Sequence, residues 1–254
     1  MPLQRNTGGK PRLCIFGDSH LGSVKQCLDQ GLVDLSAYDV EFWGATGPEF
    51  RQLDMQNGVI TPRGAAAETV ARINGKGRKT IAAQDFDIFL FYGARLKTIE
   101  FMAPYLHRAA DPNSFETDAA LRAAAEAWLI MTRAFRFARV FAGAGASVVF
   151  VPGPLPTEKV KDYTIRDRVL QAWPLAAQAT AQHRARIWDA LEHQAASTGV
   201  TLIRQPEQTI ANGTFTRFEY AVENAIKSGD TGHKSAGYAA LMLEHALVSQ
   251  TTEA

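Results

Sequence analysis

The sequence has few cysteines, no long hydrophobic run and almost no excess of either charge. Two cysteines, Cys14 and Cys27, are too few for a disulfide framework, and no Cys/His cluster has zinc-site spacing. We therefore expect two packed, reduced thiols, no metal and no cofactor. The apolar stretch "AWLIMTRAFRFARVF" is interrupted by Arg133, Arg136 and Arg139, whereas a bilayer span needs about 20 apolar residues.

Charge is balanced, with 27 Lys and Arg against 26 Asp and Glu, a net charge of +1. Such a chain lacks the basic field that attracts nucleic acid or an anionic membrane, so we expect neither partner. Before Gly17 the amino terminus holds only a short apolar stretch, too short for the core of a signal peptide. A cytoplasmic location is the expectation, and the oligomeric state stays open.

What the sequence does contain is the composition of an ordinary globular protein. Hydrophobic residues make up 46% and charged residues 21% of the 254 positions, which suits one large domain. We expect a single domain over 1–254, with a flexible lead at 1–11 and a less regular excursion at 50–82. Within the excursion, Gln56-Asn57-Gly58-Val59 predicts a hairpin turn.

Short apolar segments rich in β-branched and aromatic residues predict strands at 12–17, 39–44, 87–93, 147–153 and 200–205. Between them, helix-forming residues with apolar positions three and four apart predict helices, notably at 117–142, 175–198 and 234–248. Alternating strands and helices indicate a mostly parallel five-stranded sheet between two helical layers. The predicted fold class is therefore α/β, a three-layer α/β/α sandwich.

Four predicted strands run into glycine at or near their carboxyl ends: Gly17, Gly44, Gly93 and Gly153. In open α/β sheets this edge is where ligands bind, and glycine lets the backbone approach them closely. We therefore expect the functional site at this edge of the sheet.

The segment Gly17-Asp18-Ser19-His20 leads from the first strand into a predicted helix. A serine in such a turn has an exposed oxygen near the free N–H groups and positive dipole end of the helix. Both features suit a nucleophile that becomes an acyl ester. Taken alone, the segment equally fits an ordinary helix cap, because Asp18 and Ser19 are both favoured capping residues.

Near the other end of the chain, Asp230 and His233 lie three residues apart before an amphipathic helix. A serine nucleophile needs a general base, and that base needs a group that fixes the tautomer of its imidazole. An Asp-x-x-His loop can supply both. The alternative is that Asp230 caps the last helix and that His233 is a half-buried histidine without a catalytic role.

Together the two motifs resemble the SGNH hydrolases, also called GDSL-type esterases and lipases. That family has its nucleophile in a Gly-Asp-Ser turn after the first strand and ends its triad in a carboxyl-terminal Asp-x-x-His. Gly17-Asp18-Ser19 and Asp230-Thr231-Gly232-His233 occupy these places, and the resemblance spans roughly residues 12 to 247. It implies an SGNH/flavodoxin-like fold with Ser19 as nucleophile, His233 as base and Asp230 orienting the base.

The same resemblance implies an oxyanion site. In members of the family, a glycine after the second strand donates a hydrogen bond to the oxyanion. Gly44 matches this glycine, and the nearby Gly47 is an alternative match. A Gly-x-Asn after the third strand also donates, but here Gly93-Ala94-Arg95 puts arginine at the asparagine position. Four roles of Arg95 stay open. It donates a charged hydrogen bond to the oxyanion, or it binds an acidic group of the substrate. Otherwise it indicates an enzyme with weakened catalysis, or it is a surface residue after a strand that ends elsewhere than predicted.

The predicted function is that of a serine esterase acting on a small O-acyl ester. The Gly-Asp-Ser-His form of the first motif resembles SGNH domains that act on O-acetyl groups of sugars, so the expected partner is a small-molecule or carbohydrate ester. Two alternatives stay open: an O-acyltransferase using the same triad, and a non-catalytic SGNH-like protein that binds an anion or a glycan.

Overall fold

The computed structural model describes residues 9–160 and 166–251, and most of the predicted lead, 1–8, lies outside them. Strands and helices alternate along the chain. In order they are β1 (Arg12–Gly17), α1 (Leu21–Asp29), β2 (Asp39–Gly44), β3 (Leu53–Gln56), β4 (Val59–Pro62), α2 (Ala65–Asn74), β5 (Ile81–Ala82), β6 (Ile88–Lys97), α3 (Thr98–Ala110), α4 (Asp118–Met131), α5 (Arg133–Gly143), β7 (Ser147–Gly153), α6 (Arg166–Ala172), α7 (Ala181–Ala196), β8 (Val200–Leu202), β9 (Ile210–Ala211), β10 (Phe215–Thr216), α8 (Ala225–Ser228) and α9 (Ala236–Thr251).

Five strands form the central sheet in the order β2-β1-β6-β7-β8, and every neighbouring pair is parallel. From β1 the chain moves outward to β2 and then returns across β1 to β6. Such a reversal leaves a crevice at the carboxyl ends of the two central strands, where open α/β sheets bind ligands. Gly17 of β1 is in register with Gly44 and Tyr92, so the predicted glycine-lined edge is present.

Alternating side chains of the strands build two apolar cores on opposite faces of the sheet. Phe16, Phe91 and Phe150 pack on one face with buried residues of α3, α4, α5 and α7. Their neighbours Ile15, Leu90 and Val149 pack on the other face with α1 and α9. Because both faces of the sheet are covered by helices, the predicted three-layer α/β/α architecture is confirmed.

The excursion at 50–82 contains an antiparallel sheet of β3, β4 and β5 together with helix α2. Gln56 pairs with Val59 across the turn, and Asn57 and Gly58 have φ values of +50° and +77°. Two successive positive φ values fit a type I′ hairpin, so the turn prediction is confirmed. The helix was not predicted.

Two differences between the predicted and the observed helices have local reasons. The segment 117–142 is divided into α4 and α5 at Thr132, whose backbone is extended. The Thr132 hydroxyl donates to the carbonyl of Trp128, a local hydrogen bond of the kind that competes with the regular helix. Helix α3 was not predicted, and it contains Pro104, which indicates a helix boundary when only the sequence is read.

The third predicted strand, 87–93, is longer than expected. Strand β6 continues to Lys97, and its register against β7 shifts between Gly93 and Lys97. Such a bulge adds unpaired residues to one strand and changes the direction of their side chains. Arg95 therefore lies inside an irregular part of β6 at the site edge of the sheet.

Cys14 in β1 and Cys27 in α1 are buried and unbridged, as predicted. Burial raises the pKa of the Cys14 thiol well above its ordinary value, which keeps it protonated and unreactive at neutral pH. Within residues 9–160 and 166–251, no helix has both the length and the apolar character needed to span a membrane.

Candidate active site

The hydroxyl of Ser19, in the turn after β1, does not cap helix α1. The buried carboxylate of Asp18 accepts a hydrogen bond from the backbone N–H of His20 at 3.1 Å. The N-cap position of α1 is His20, and no side chain caps it. Asp18 therefore stabilises the turn, while the Ser19 hydroxyl is left to contact the other end of the chain.

Ser19, His233 and Asp230 form a continuous hydrogen-bonded chain. The Nε2 atom of His233 lies 2.7 Å from the Oγ atom of Ser19, although 214 residues separate them in the sequence. The Nδ1 atom of His233 lies 2.8 Å from Oδ2 of Asp230. The structure thus brings together the three residues that the sequence motifs singled out.

The electrostatics of Asp230 favour one tautomer of the histidine. Burial of this carboxyl opposes its ionisation, but hydrogen bonds from the backbone and ring of His233 and from Gly232 outweigh it, so its pKa lies below the ordinary value. The ionised carboxylate holds the ring hydrogen on Nδ1. Nε2 is then the proton acceptor that faces the Ser19 hydroxyl.

The capping alternative for Asp230 does not fit the structure. Helix α9 begins at Ala236, and the side chain that accepts a hydrogen bond from its first turn is that of Ser235, from Tyr238 N–H. Asp230 instead accepts hydrogen bonds at 3.0 Å from the N–H groups of Gly232 and His233. Its second oxygen is thereby directed to the imidazole.

Gly44 lies directly against the strand that carries the turn. Its φ is +150°, and a Cβ atom there would lie 1.9 Å from the carbonyl oxygen of Gly17. Gly47 begins a short 3₁₀ helix, and a Cβ at that position would meet only the carboxylate of Glu49, at 3.8 Å. Close approach to Gly17 therefore requires glycine at position 44 and not at position 47.

Substitution of Gly44 by alanine is expected to destabilise the protein by at least about 3 kcal/mol, because backbone must move to admit the methyl group. The free energy of unfolding in urea measures the effect. Gly22→Ala is the control, since no atom lies within 4 Å of its added Cβ and its helix gains propensity. Equal stability of Gly44→Ala and the wild type would contradict the packing described for Gly44.

Gly93 makes room for the ring of His20, the residue that follows Ser19. A Cβ on Gly93 would lie 2.5 Å from the His20 ring, and the His20 and His233 ring centroids are 5.0 Å apart. Burial and the nearby His233 and Lys234 lower the pKa of His20 to about 4, against the opposing effect of Asp18. A neutral imidazole therefore lies beside the ring of His233 at neutral pH.

Arg95 has an unusual backbone conformation and a half-buried side chain. Its φ is +59°, a region that costs a non-glycine residue on the order of 1–3 kcal/mol. The half-buried side chain makes no hydrogen bond or ion pair with any residue that the structure describes. No hydrogen bond joins Arg95 to Ser19 or His233, so the oxyanion and substrate roles of Arg95 stay predictions.

No family model matches this sequence, and no curated protein matches it. Solved structures show a weak overall likeness to this chain. A lipopolysaccharide acetyltransferase periplasmic domain from Salmonella ser. Paratyphi A is 12% identical, with a TM-score of 0.39 over 96% of this chain and 84% of that one. An extracellular lipase from Streptomyces rimosus is 12% identical, with a TM-score of 0.45 over 94% of this chain and 99% of that one. A lipase/acylhydrolase from Enterococcus faecalis is 13% identical, with a TM-score of 0.30 over 95% of this chain and 94% of that one.

Proposed function

We propose that the protein is an SGNH-type serine hydrolase that cleaves a small O-acyl ester. The observation that supports this most directly is the pair of short contacts made by His233, to Ser19 at 2.7 Å and to Asp230 at 2.8 Å. A histidine packed only for stability does not need a serine on one ring nitrogen and an ionised carboxylate on the other. That arrangement is the one a serine nucleophile requires.

In the proposed reaction, Ser19 Oγ attacks the ester carbonyl while His233 Nε2 takes the hydroxyl proton. Asp230 stabilises the imidazolium that forms. The bond between the carbonyl carbon and the alkoxide oxygen then breaks, and the alkoxide takes the proton of His233 and leaves as the alcohol. The acyl group stays on Ser19 as an ester. Water attacks this ester with the same base, releasing the carboxylic acid and restoring the Ser19 hydroxyl.

The oxyanion of each tetrahedral intermediate needs donors at the same edge. The backbone N–H of Ser19 donates to no residue in the described part of the chain, and it precedes helix α1, whose amino terminus favours negative charge. We assign the second donor to the Gly44 amide, with Gly47 and Gly93 as alternatives. One such donor contributes about 3 kcal/mol to transition-state stabilisation.

The test is reaction with a fluorophosphonate probe and with p-nitrophenyl acetate. We expect nitrophenol release and a single labelled peptide, which contains Ser19, since a fluorophosphonate reacts with an activated serine. Ser36→Ala is the matched control, because Ser36 is an exposed serine whose side chain bonds only to Asp34. Absence of both signals with retained glycan binding would favour the non-catalytic alternative, and transfer of acetate to an added sugar would favour the acyltransferase.

We propose that Arg95 contacts an acidic group on the substrate, because the residue lies in the irregular end of β6 and its side chain has no hydrogen-bond or ion-pair partner among the described residues. Arg95→Asn tests this, since asparagine tolerates the positive φ and also restores the residue expected from the family. Losing a charged hydrogen bond of about 1.5–3 kcal/mol is expected to raise KM for an acidic ester roughly 10- to 100-fold.

The comparison for Arg95→Asn is a neutral ester of the same alcohol, whose KM is expected to stay within about twofold because no anion is lost. Arg139→Asn, on the exposed face of α5, serves as the control for a general change in charge. Equal KM values for the acidic ester in wild type and Arg95→Asn would remove Arg95 from the substrate site.

A further inference from the structure

Lys234, the residue after His233, is the only lysine among the described residues whose side chain is buried, with 2% exposure. Burying an ammonium is costly unless its donors are satisfied. Its Nζ atom donates to the carbonyl oxygens of Thr231 at 2.8 Å and Gly232 at 2.9 Å. No carboxylate of a described residue lies within ion-pair distance of this ammonium, so its contacts are concentrated on one short loop.

The two carbonyl groups belong to the peptide units between Asp230 and His233. The same peptide units direct their N–H groups, those of Gly232 and His233, at Asp230 Oδ1. Each peptide plane is therefore held from both sides, by a carboxylate at its N–H and by an ammonium at its carbonyl. Rotation of either plane would break a charged hydrogen bond at each end.

We propose that Lys234 is a positioning residue for His233. The Thr231 carbonyl also accepts hydrogen bonds from the N–H and the hydroxyl of Thr157. Lys234 therefore keeps the imidazole at hydrogen-bond distance from the Ser19 hydroxyl chiefly by fixing the peptide plane between Gly232 and His233. The consequence for turnover rests on the proposed function, whereas the effect on the orientation of His233 does not.

The charged and titratable groups near Lys234 are Asp230 and His233 of its own loop and His20 from the turn before α1. Burial lowers the pKa of Lys234 from 10.5 to about 7, with Asp230 opposing the shift. Because the folded value is below the unfolded one, the cost of burying the charge is fully present below pH 7. This cost falls progressively between pH 7 and about pH 10.5, as the folded protein loses the proton of Lys234. Lys234 therefore makes the free energy of unfolding rise with pH between these two values.

The test uses Lys234→Met, which keeps the apolar stem and removes the donors, and Lys234→Gln, which supplies amide N–H donors but is too short to reach both carbonyls. Lys227→Met on α8 is the control, because Lys227 is exposed. We expect Lys234→Met to lower kcat per probe-titrated active site about 10- to 100-fold with little change in KM, and Lys234→Gln to lower it less. The NMR signal of the His233 Nδ1 hydrogen should broaden or shift in both.

A structural role alone would lower the amount of folded protein without changing kcat per titrated site or the His233 signal. Wild-type values of both quantities in Lys234→Met would overturn the proposal, and the same criteria apply to Lys234→Gln if the methionine variant does not fold. Urea unfolding from pH 6 to 10 should show wild type gaining stability relative to Lys234→Met as pH rises. If wild type has no esterase activity, the His233 signal still decides the role of Lys234.

Discussion

Replacing Ser19 by alanine is expected to lower ester turnover by on the order of 10⁶-fold, because the only proposed nucleophile is removed. His233→Ala should have a comparable effect, since the two side chains act in one proton transfer, and the double variant should be no slower than either single one. Steady-state rates with p-nitrophenyl acetate measure the loss. The slow residual reaction would reflect the oxyanion donors and binding alone.

The effect of Ser19→Ala on stability is expected to be that of losing one side-chain hydrogen bond. The Ser19 hydroxyl contacts His233, and no side chain caps α1. We therefore expect unfolding in urea to match that of the Ser36→Ala control. A rate above a hundredth of wild type would contradict the assignment of Ser19 as the nucleophile.

Local sequence signals predicted the sheet well because its strands are buried on both faces. Continuous β-branched and aromatic runs mark such strands, and β1, β2 and β7 begin and end where predicted. The helical layers were harder to predict. Thr132 and Pro104 act through local hydrogen bonding and the missing N–H of proline, so one helix was predicted too long and another was not predicted.

The candidate site was predictable only in part. Motif resemblance and the rule for sheet edges pointed to Ser19, Asp230 and His233, which the fold brings within hydrogen-bond distance. Nothing local indicates that Lys234 is buried, because a lysine after a loop histidine is ordinarily solvated. The position of the His20 ring likewise depends on Gly93, which belongs to a distant strand.

Asp230→Asn is expected to lower kcat by on the order of 10⁴-fold while leaving the loop folded. The amide oxygen can replace Oδ1 and keep the hydrogen bonds from the Gly232 and His233 N–H groups. Its NH₂ group then faces His233 Nδ1, which must become the acceptor. The ring hydrogen moves to Nε2, so the imidazole can no longer take the proton of Ser19.

A flipped amide would restore the tautomer but would set its NH₂ group against two backbone N–H donors, losing two hydrogen bonds to keep one. Asp230→Ala is the matched comparison, because it removes the tautomer control and both backbone bonds. It should show a similar kcat and a further loss of stability of about 1–3 kcal/mol in urea unfolding. If Asp230→Asn kept a kcat within tenfold of wild type, the carboxylate would not be orienting the base, and a dyad of Ser19 and His233 would replace the triad.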